Sequence, residues 1–104
     1  MEFSRELRSQ VIAGGITVSF RLWQRPRVRV GGVYAVRHVL IHVDAIEPMP
    51  FYAISAADVR RAGERDREAL RRRAAHTGPV ADDTVLYRVE FHVIQDDRAG
   101  DSQR

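Results

Sequence analysis

Four arginines lie close to the only tryptophan in the chain, and this segment has the clearest capacity to bind a ligand. The residues concerned are Arg21, Trp23, Arg25, Arg27 and Arg29. Guanidinium groups neutralise phosphates and an aromatic ring can stack on a base, so this composition is typical of a surface that binds nucleic acid. In the structural alternative, the tryptophan fills one end of the core and the arginines protect a solvated strand edge from aggregation.

Two hydroxyl side chains precede this segment, at Thr17 and Ser19. Residues two apart on a strand share a face, so both hydroxyls are expected to face a cleft while Val18 and Phe20 pack in the core. The Gly14-Gly15 turn before them would present backbone N–H groups to a phosphate. The simpler alternative is a helix end followed by a strand, with no ligand at the turn.

Histidine is the side chain to consider for a metal site here, because the chain has no cysteine. His38 and His42 share a face of a predicted strand, but they are roughly 13 Å apart along it, too far to chelate one ion. His92, on the last predicted strand, could approach one of them. Strand histidines are more often ordinary surface residues than ligands, so we predict no metal and no cofactor.

Positive charge is concentrated in the first third of the sequence. All 17 basic residues are arginines. Residues 1–37 contain seven arginines against two glutamates, a net of +5, whereas residues 38–104 have a net of −2. This asymmetry predicts a localised anion-binding surface. The arginines of residues 60–73 alternate with acidic residues, and we interpret them as a solvated helix surface, with those at 71–73 largely in solvent.

Length and composition limit the class of protein. A chain of 104 residues is long enough for one domain with its own core. Without cysteine there is no disulfide framework, thiolate metal site or cysteine nucleophile. No apolar run approaches the roughly 20 residues that cross a bilayer, and the first residues lack the pattern of a signal peptide. We therefore predict a cytoplasmic protein without membrane association, and the oligomeric state stays open.

The spacing of apolar residues predicts three helices and four strands. The predicted helices cover residues 4–13, 56–62 and 67–75, with N-caps at Ser4, Ser55 and Asp66. The predicted strands cover residues 17–22, 33–36, 38–46 and 85–93. Helices inserted between sequential strands indicate an α+β domain, a small mixed barrel with short helices at its ends.

Three details of this layout bear on the site. Pro48-Met49-Pro50 should interrupt strand pairing, because proline cannot donate to a ladder. The junction at Arg37-His38 is either a tight turn or part of one long bent strand. In the last strand, the five alternate apolar residues from Val85 to Val93 should share one face.

The order of these elements resembles the ASCH domain of the PUA-like superfamily. Such domains have a helix ending in a G-x-K-T-like turn, a strand ending in arginine, a glycine turn, a small helical insertion and a closing strand. The similar segments here are Ile12–Arg21, Val28–Tyr34, Ile54–Gly63 and Val85–Phe91. The resemblance implies a PUA-like domain over residues 1–94, and residues 95–104 are predicted to be a flexible polar tail.

The resemblance also implies a function and a catalytic set. In this family RNA is proposed to lie in a cleft beside the first helix and strand, and some members resemble amidohydrolases of acetylated cytidine. Their lysine position falls on Ile16 and their threonine position on Ser19. Their glutamate position falls near Ala62, although a small shift of the insertion would place Glu64 there. A hydroxyl nucleophile needs a neighbouring base, and Ile16 cannot supply one.

We therefore predict a nucleic-acid-binding module, with RNA as the partner, that binds in a basic cleft. The predicted contact residues are Thr17, Ser19, Arg21, Trp23, Arg25, Arg27 and Arg29. A hydrolase of a modified nucleoside or of RNA is the alternative, with Ser19 or Thr17 and Glu64 as its candidate catalytic residues. A third interpretation is a structural or protein-interaction domain whose arginines only increase solubility.

Overall fold

The computed structural model describes residues 1–96, which fold as helices packed around one sheet, and this confirms the predicted α+β class. The helices are α1 (Arg5–Ile12), α2 (Ala56–Arg61) and α3 (Arg67–Ala74). The strands are β1 (Val18–Arg21), β2 (Val33–Val36), β3 (Val39–Pro50) and β4 (Val85–Asp96). Short 3-10 turns at Phe51–Ala53 and Ala75–Thr77 follow β3 and α3.

The four strands form one antiparallel sheet in the order β1-β4-β3-β2. Strands β3 and β4 have 12 residues each and pair from Val39↔Asp96 to Pro50↔Val85. The register shifts between Val43 and Ala45, so Asp44 lies in a bulge of β3. Because β1 pairs with β4, the start of the chain is placed beside the last strand.

Buried residues form two clusters, on opposite faces of β4. Val89 and Phe91 pack with Leu7 and Val11 of α1 in the first cluster. Leu86 belongs to the second cluster, with residues of β1, α2 and α3. Alternate strand residues point to opposite faces, so a strand that is covered on both sides buries residues of both parities.

Burial does not follow the shared face of Val85 to Val93 to the start of the last strand. Val85 is exposed, whereas its neighbour Leu86 is fully buried. The alternation of apolar residues identified the face that α1 covers. It did not show that α2 and α3 cover the opposite face.

The predicted interruption at Pro48-Met49-Pro50 was also wrong, because β3 runs through both prolines to its end. Pro48 pairs with Tyr87 and Pro50 with Val85. Strand β2 pairs with β3 only from Val39 to His42, so the far edge of β3 has no neighbouring strand at the prolines. Proline is tolerated at such an edge, where its missing N–H group needs no partner.

The open question at Arg37-His38 is resolved in favour of a tight turn. Val36 pairs directly with Val39, which leaves two residues to reverse the chain. Arg37 has a φ of 56°, in the left-handed region that such turns require. Strands β2 and β3 are therefore a hairpin.

Two of the three predicted N-caps are confirmed. The Ser55 side chain accepts a hydrogen bond from the backbone N–H of Asp58, and that of Asp66 accepts one from Ala69. Ser4 occupies the N-cap position of α1 but makes no capping bond. Its hydroxyl accepts a hydrogen bond from Arg73 of α3 instead, at 2.8 Å.

Strand β4 continues beyond the predicted end at residue 93 and reaches Asp96. The rest of the predicted polar tail, residues 97–104, lies outside the described residues. None of the helices within residues 1–96 has the length and apolar character needed to cross a membrane.

Candidate nucleic-acid interface

A cleft of about 1130 Å³ lies between the first residues of the chain, β1, the loop after β1, and α3. It brings together five of the seven predicted contact residues and the candidate catalytic carboxylate. These residues are Ser19, Arg21, Trp23, Arg25, Arg27 and Glu64. The predicted cleft beside the first helix and strand therefore has a physical counterpart in the fold.

Two predicted residues, Thr17 and Arg29, do not line this cleft. The Thr17 hydroxyl accepts a hydrogen bond from Nε of Arg61 at 3.2 Å, so it is directed towards α2. Arg29 is exposed, and its backbone N–H donates to the Tyr34 hydroxyl at 3.0 Å. Alternation placed Thr17 and Ser19 on one face, but Thr17 precedes β1, and its hydroxyl bonds to α2 whereas that of Ser19 bonds to Arg21.

Arg21 is held in one orientation by three contacts. Its Nε donates to the Ser19 hydroxyl at 2.7 Å, and its Nη2 donates to the backbone carbonyl of Glu2 at 2.6 Å. Its guanidinium carbon lies 4.9 Å from the centre of the Phe3 ring, a cation–π distance. The end of β1 and the start of the chain together fix this guanidinium in the cleft wall.

The charge of Arg21 is incompletely compensated. Burial lowers the pKa of its guanidinium, and the carboxylate of Glu2 opposes this shift only in part. Within residues 1–96, no carboxylate lies within ion-pair distance of it. Arginine stays protonated at neutral pH, so this side chain is a half-buried cation that an anion would stabilise.

Trp23 both packs against the core and lines the cleft. It is half-buried and packs against the first core cluster, with its ring centre 6.3 Å from that of Tyr87. It also lines the cleft. The core interpretation is therefore compatible with a ring surface that faces a ligand.

Glu64 is the one buried charged residue within the described part of the chain, with 8% of its surface exposed. Arg73 of α3 donates to both of its carboxylate oxygens. This pairing raises the pKa of Arg73. The cleft thus contains a carboxylate, but a neighbouring arginine neutralises it.

Arg73 also corrects the prediction that the arginines at 71–73 are largely in solvent. Its side chain is 35% exposed and also donates to Ser4. Arg71 is 24% exposed and stacks at 4.2 Å on the Phe51 ring. Arg72 alone of the three is exposed. Helical spacing could not reveal the partners of Arg71 and Arg73, because several of them lie on other elements.

Ile16, at the position of the family's lysine, is 2% exposed and lies in the first core cluster. It does not line the cleft. Its side chain occupies the space that a Cβ of Gly63 would need, and Gly63 has a φ of +82° that favours glycine. The backbone before Glu64 therefore depends on close packing against Ile16, not on a polar group there.

Sequence reasoning missed a second set of charged residues, which we call the α2 clamp: Asp58, Arg61, Arg88 and Glu90. Arg88 donates from Nε to Asp58 at 2.7 Å and from Nη1 to Glu90 at 2.9 Å. Arg61 lies 3.4 Å from Asp58 and 3.5 Å from Glu90. The sequence holds two local signals: Arg88 and Glu90, two apart on a strand, share a face, and Asp58 and Arg61 are three apart on a helix.

A third set of side chains, outside the cleft, contains two of the histidines. His42 of β3 and His92 of β4 are register partners, and the Asp44 carboxylate lies between their rings. His92 was expected to approach one of the other two histidines, and it lies beside His42. His38 lies in the turn between β2 and β3.

Comparison with known proteins identifies the fold. No protein-family model matches this sequence. No curated protein matches it either. An ASCH domain from Lactobacillus crispatus JV V101 has a TM-score of 0.69 at 18% identity, over 85% of this chain and 70% of the other. Protein EF3133 from Enterococcus faecalis V583, of family DUF984, has a TM-score of 0.67 at 15% identity, over 93% of this chain and 72% of the other. At these identities the likeness shows the fold alone, and that fold is ASCH-like.

Proposed function

We propose that this domain, with its ASCH-like fold, binds RNA in the cleft beside β1. The observation that carries the proposal is Arg21, a half-buried guanidinium with no paired carboxylate in residues 1–96. Its position is fixed by Ser19 and by the start of the chain. A phosphate oxygen is the ligand that would complete its hydrogen bonding and its charge.

The other charges of the cleft support an anionic ligand. Arg25 and Arg27 are exposed residues of the cleft lining, and Arg73 of α3 also lines it. The lining has two carboxylates: Glu64, which pairs with Arg73, and the exposed Glu2. A backbone that enters the cleft would therefore meet cations on the loop after β1 and a fixed cation at Arg21. This arrangement favours several consecutive phosphates.

The size of the cleft favours an oligonucleotide segment. Its volume of about 1130 Å³ exceeds the roughly 300–1,000 Å³ of pockets that enclose one small molecule. The Trp23 ring is positioned by Tyr87 and would stack on a base without first having to be ordered. Stacking on an aromatic ring requires an unpaired base, so we expect single-stranded RNA to bind more tightly than duplex RNA.

The test is a salt-titrated fluorescence-anisotropy assay with labelled single-stranded RNA, duplex RNA and single-stranded DNA. We expect the logarithm of the affinity for single-stranded RNA to fall linearly with the logarithm of the salt concentration. We also expect Arg21→Ala to weaken this affinity. Arg60→Ala is the matched control, because Arg60 is an exposed arginine of α2 outside the cleft.

Two results would count against the proposal. One is no RNA binding at low salt, which would favour the interpretation of the arginines as solubilising groups. The other is an equal loss in the Arg21 and Arg60 variants, which would indicate attraction by net charge without a cleft.

One observation favours a hydrolase as the second candidate, because Glu64 lines the same cleft as Ser19. Two others weigh against it. Arg73 already binds the Glu64 carboxylate, and the family's lysine position is the buried Ile16. A deacetylation assay on acetylated cytidine separates the two functions. Turnover that is lost in both Ser19→Ala and Glu64→Gln would establish the hydrolase, and we expect no turnover.

A further inference from the structure

The proposal concerns a site on β3 and β4 that is separate from the cleft. His42 and His92 are directly opposite each other in the antiparallel pair, and their ring centres are 5.4 Å apart. The bulge in β3 brings Asp44 to the same position. None of the three residues lines the cleft, so the inference does not depend on the proposed function.

The donor atoms of this cluster lie close enough together to reach a common ion. The Asp44 carboxylate lies 2.9 Å from Nδ1 of His42 and 2.8 Å from Nδ1 of His92, through its two different oxygens. Each of the three residues offers one donor atom, and these three atoms lie within 4.8 Å of one another. Around a tetrahedral ion with bonds of about 2.0–2.2 Å, neighbouring ligand atoms are about 3.3–3.6 Å apart, so small shifts of these three side chains would bring their donor atoms onto one ion.

We infer that His42, Asp44 and His92 bind one divalent transition-metal ion, with Zn²⁺ as the best match to the ligand set. Imidazole nitrogens favour zinc, copper, nickel and iron, whereas magnesium and calcium prefer a set of oxygens alone. Two histidines with one carboxylate are a ligand set of catalytic zinc sites. The ion would take the place of the hydrogen bonds between the rings and the carboxylate, and each imidazole that binds through Nδ1 stays neutral with its proton on Nε2.

The site is open to solvent. The side chains of His42 and Asp44 are 36% and 35% exposed, and that of His92 is 53% exposed. Three protein ligands leave at least one position of a tetrahedral zinc ion for water or an added ligand. The ligands come from two paired strands, so the bound ion cross-links β3 and β4 at the bulge.

The sequence predicted no metal, because His38 and His42 are too far apart along their strand. The structure places His38 in the turn before β3 and outside this cluster. The pairing of β3 with β4 supplies a different pair, and the third ligand depends on a bulge that shifts the register. Neither the pairing nor the bulge can be obtained from residue spacing.

The test is metal uptake by the untagged full chain after removal of metal with a chelator. Titration calorimetry with ZnCl₂ should give one ion per chain, and the Tm should rise by several degrees at saturating Zn²⁺. His42→Ala and His92→Ala should each weaken Zn²⁺ binding at least about tenfold, and so should Asp44→Asn. His76→Ala is the control, because it removes an exposed histidine that is distant in sequence from the cluster.

A second measurement separates ligation from loss of folding. The variants should match the wild-type far-UV circular dichroism in chelator, and Co²⁺ added to the wild type should give visible d–d bands that the His42 and His92 variants lose. No uptake of Zn²⁺ by the wild type would overturn the proposal, leaving a hydrogen-bonded cluster. So would equal weakening in His76→Ala, and unchanged binding in Asp44→Asn would overturn the three-ligand set.

Discussion

The α2 clamp and the cleft use the same guanidinium group in opposite ways. In the clamp, Arg88 is 12% exposed and its partner Asp58 is 15% exposed, and Glu90 and Arg61 complete the network. In the cleft, Arg21 is also half-buried, but its hydrogen-bond acceptors are a hydroxyl and a carbonyl. The first arginine is compensated within the fold and the second is not.

Under the proposed function, pairing, and not the number of arginines, distinguishes a structural arginine from a binding one. A paired guanidinium joins two elements, here α2 and β4, and has little charge left for a ligand. An unpaired guanidinium in a cleft wall costs desolvation free energy, which a bound phosphate would recover. Variants of the two regions should therefore separate stability from RNA affinity.

The largest effect is expected from Arg88→Ala in the α2 clamp. The change leaves Asp58 poorly solvated and without its main partner, so the free energy of unfolding should fall by about 2–4 kcal/mol. The Tm should drop by at least about 10 °C. Urea unfolding and thermal denaturation measure both quantities, and RNA affinity below the Tm should be unchanged.

The matched control replaces both partners, as Asp58→Leu with Arg88→Met. Removing both charges leaves no unpaired ion, so most of the lost stability should return. If the double variant is as unstable as Arg88→Ala alone, the loss of stability is explained by lost packing of the aliphatic part of Arg88, and not by the loss of its ion pairs.

Arg21→Ala should give the opposite result. RNA affinity should fall by about 10- to 100-fold, the loss expected for one charge-assisted contact. The free energy of unfolding should change by less than about 1 kcal/mol, because the desolvation cost removed offsets the hydrogen bonds lost. Anisotropy and urea unfolding on the same sample test the pair of expectations. A large loss of stability without a loss of affinity would reverse the roles of the two regions.

The exposed arginines of the cleft should act through salt dependence. Arg25→Ala combined with Arg27→Ala should lower the slope of log K against log salt by about 0.7 per lost phosphate contact on single-stranded RNA. Stability should be unaffected, because both side chains are exposed. An unchanged slope would place the RNA backbone elsewhere.

The smallest effect is the acid dependence of the clamp. The hydrogen bond from Arg88 lowers the pKa of Asp58, below the value of about 3.9 for an unfolded chain. The stability that this pairing contributes is fully present above pH 4 and is lost as the pH falls below that value. Urea midpoints between pH 7 and pH 3 should therefore decline more steeply for the wild type than for Asp58→Asn. Parallel curves would contradict this.

Much of the local structure could be predicted from the sequence, because it depends on neighbours along the chain. The caps at Ser55 and Asp66 each bond to a backbone N–H three residues ahead. The alternation in β1 correctly placed Val18 and Phe20 in a core. The sequence did not show that Leu86 is buried, and the prediction at Pro48-Met49-Pro50 was wrong, because both outcomes depend on what covers a face or an edge of the sheet.

The predictions for the candidate site show the same division between residues that are close in sequence and partners that are distant. Ser19, Arg21 and Trp23 were predicted because they are close together in one strand and the loop that follows. Arg73 was missed as a partner of Glu64, since the bond joins α3 to the loop before it, nine residues away. The α2 clamp was missed because Asp58 and Arg88 are separated by 30 residues.

The sequence by itself determined the helices and strands, the basic segment after β1 and the absence of cysteine and lysine chemistry. Only the tertiary structure decided which arginines are neutralised and which histidines meet. The physical reason is that capping and alternation act over a few residues, whereas the charge of a guanidinium depends on every carboxylate within a few ångströms. Those carboxylates come from elements that only the sheet order β1-β4-β3-β2 brings together.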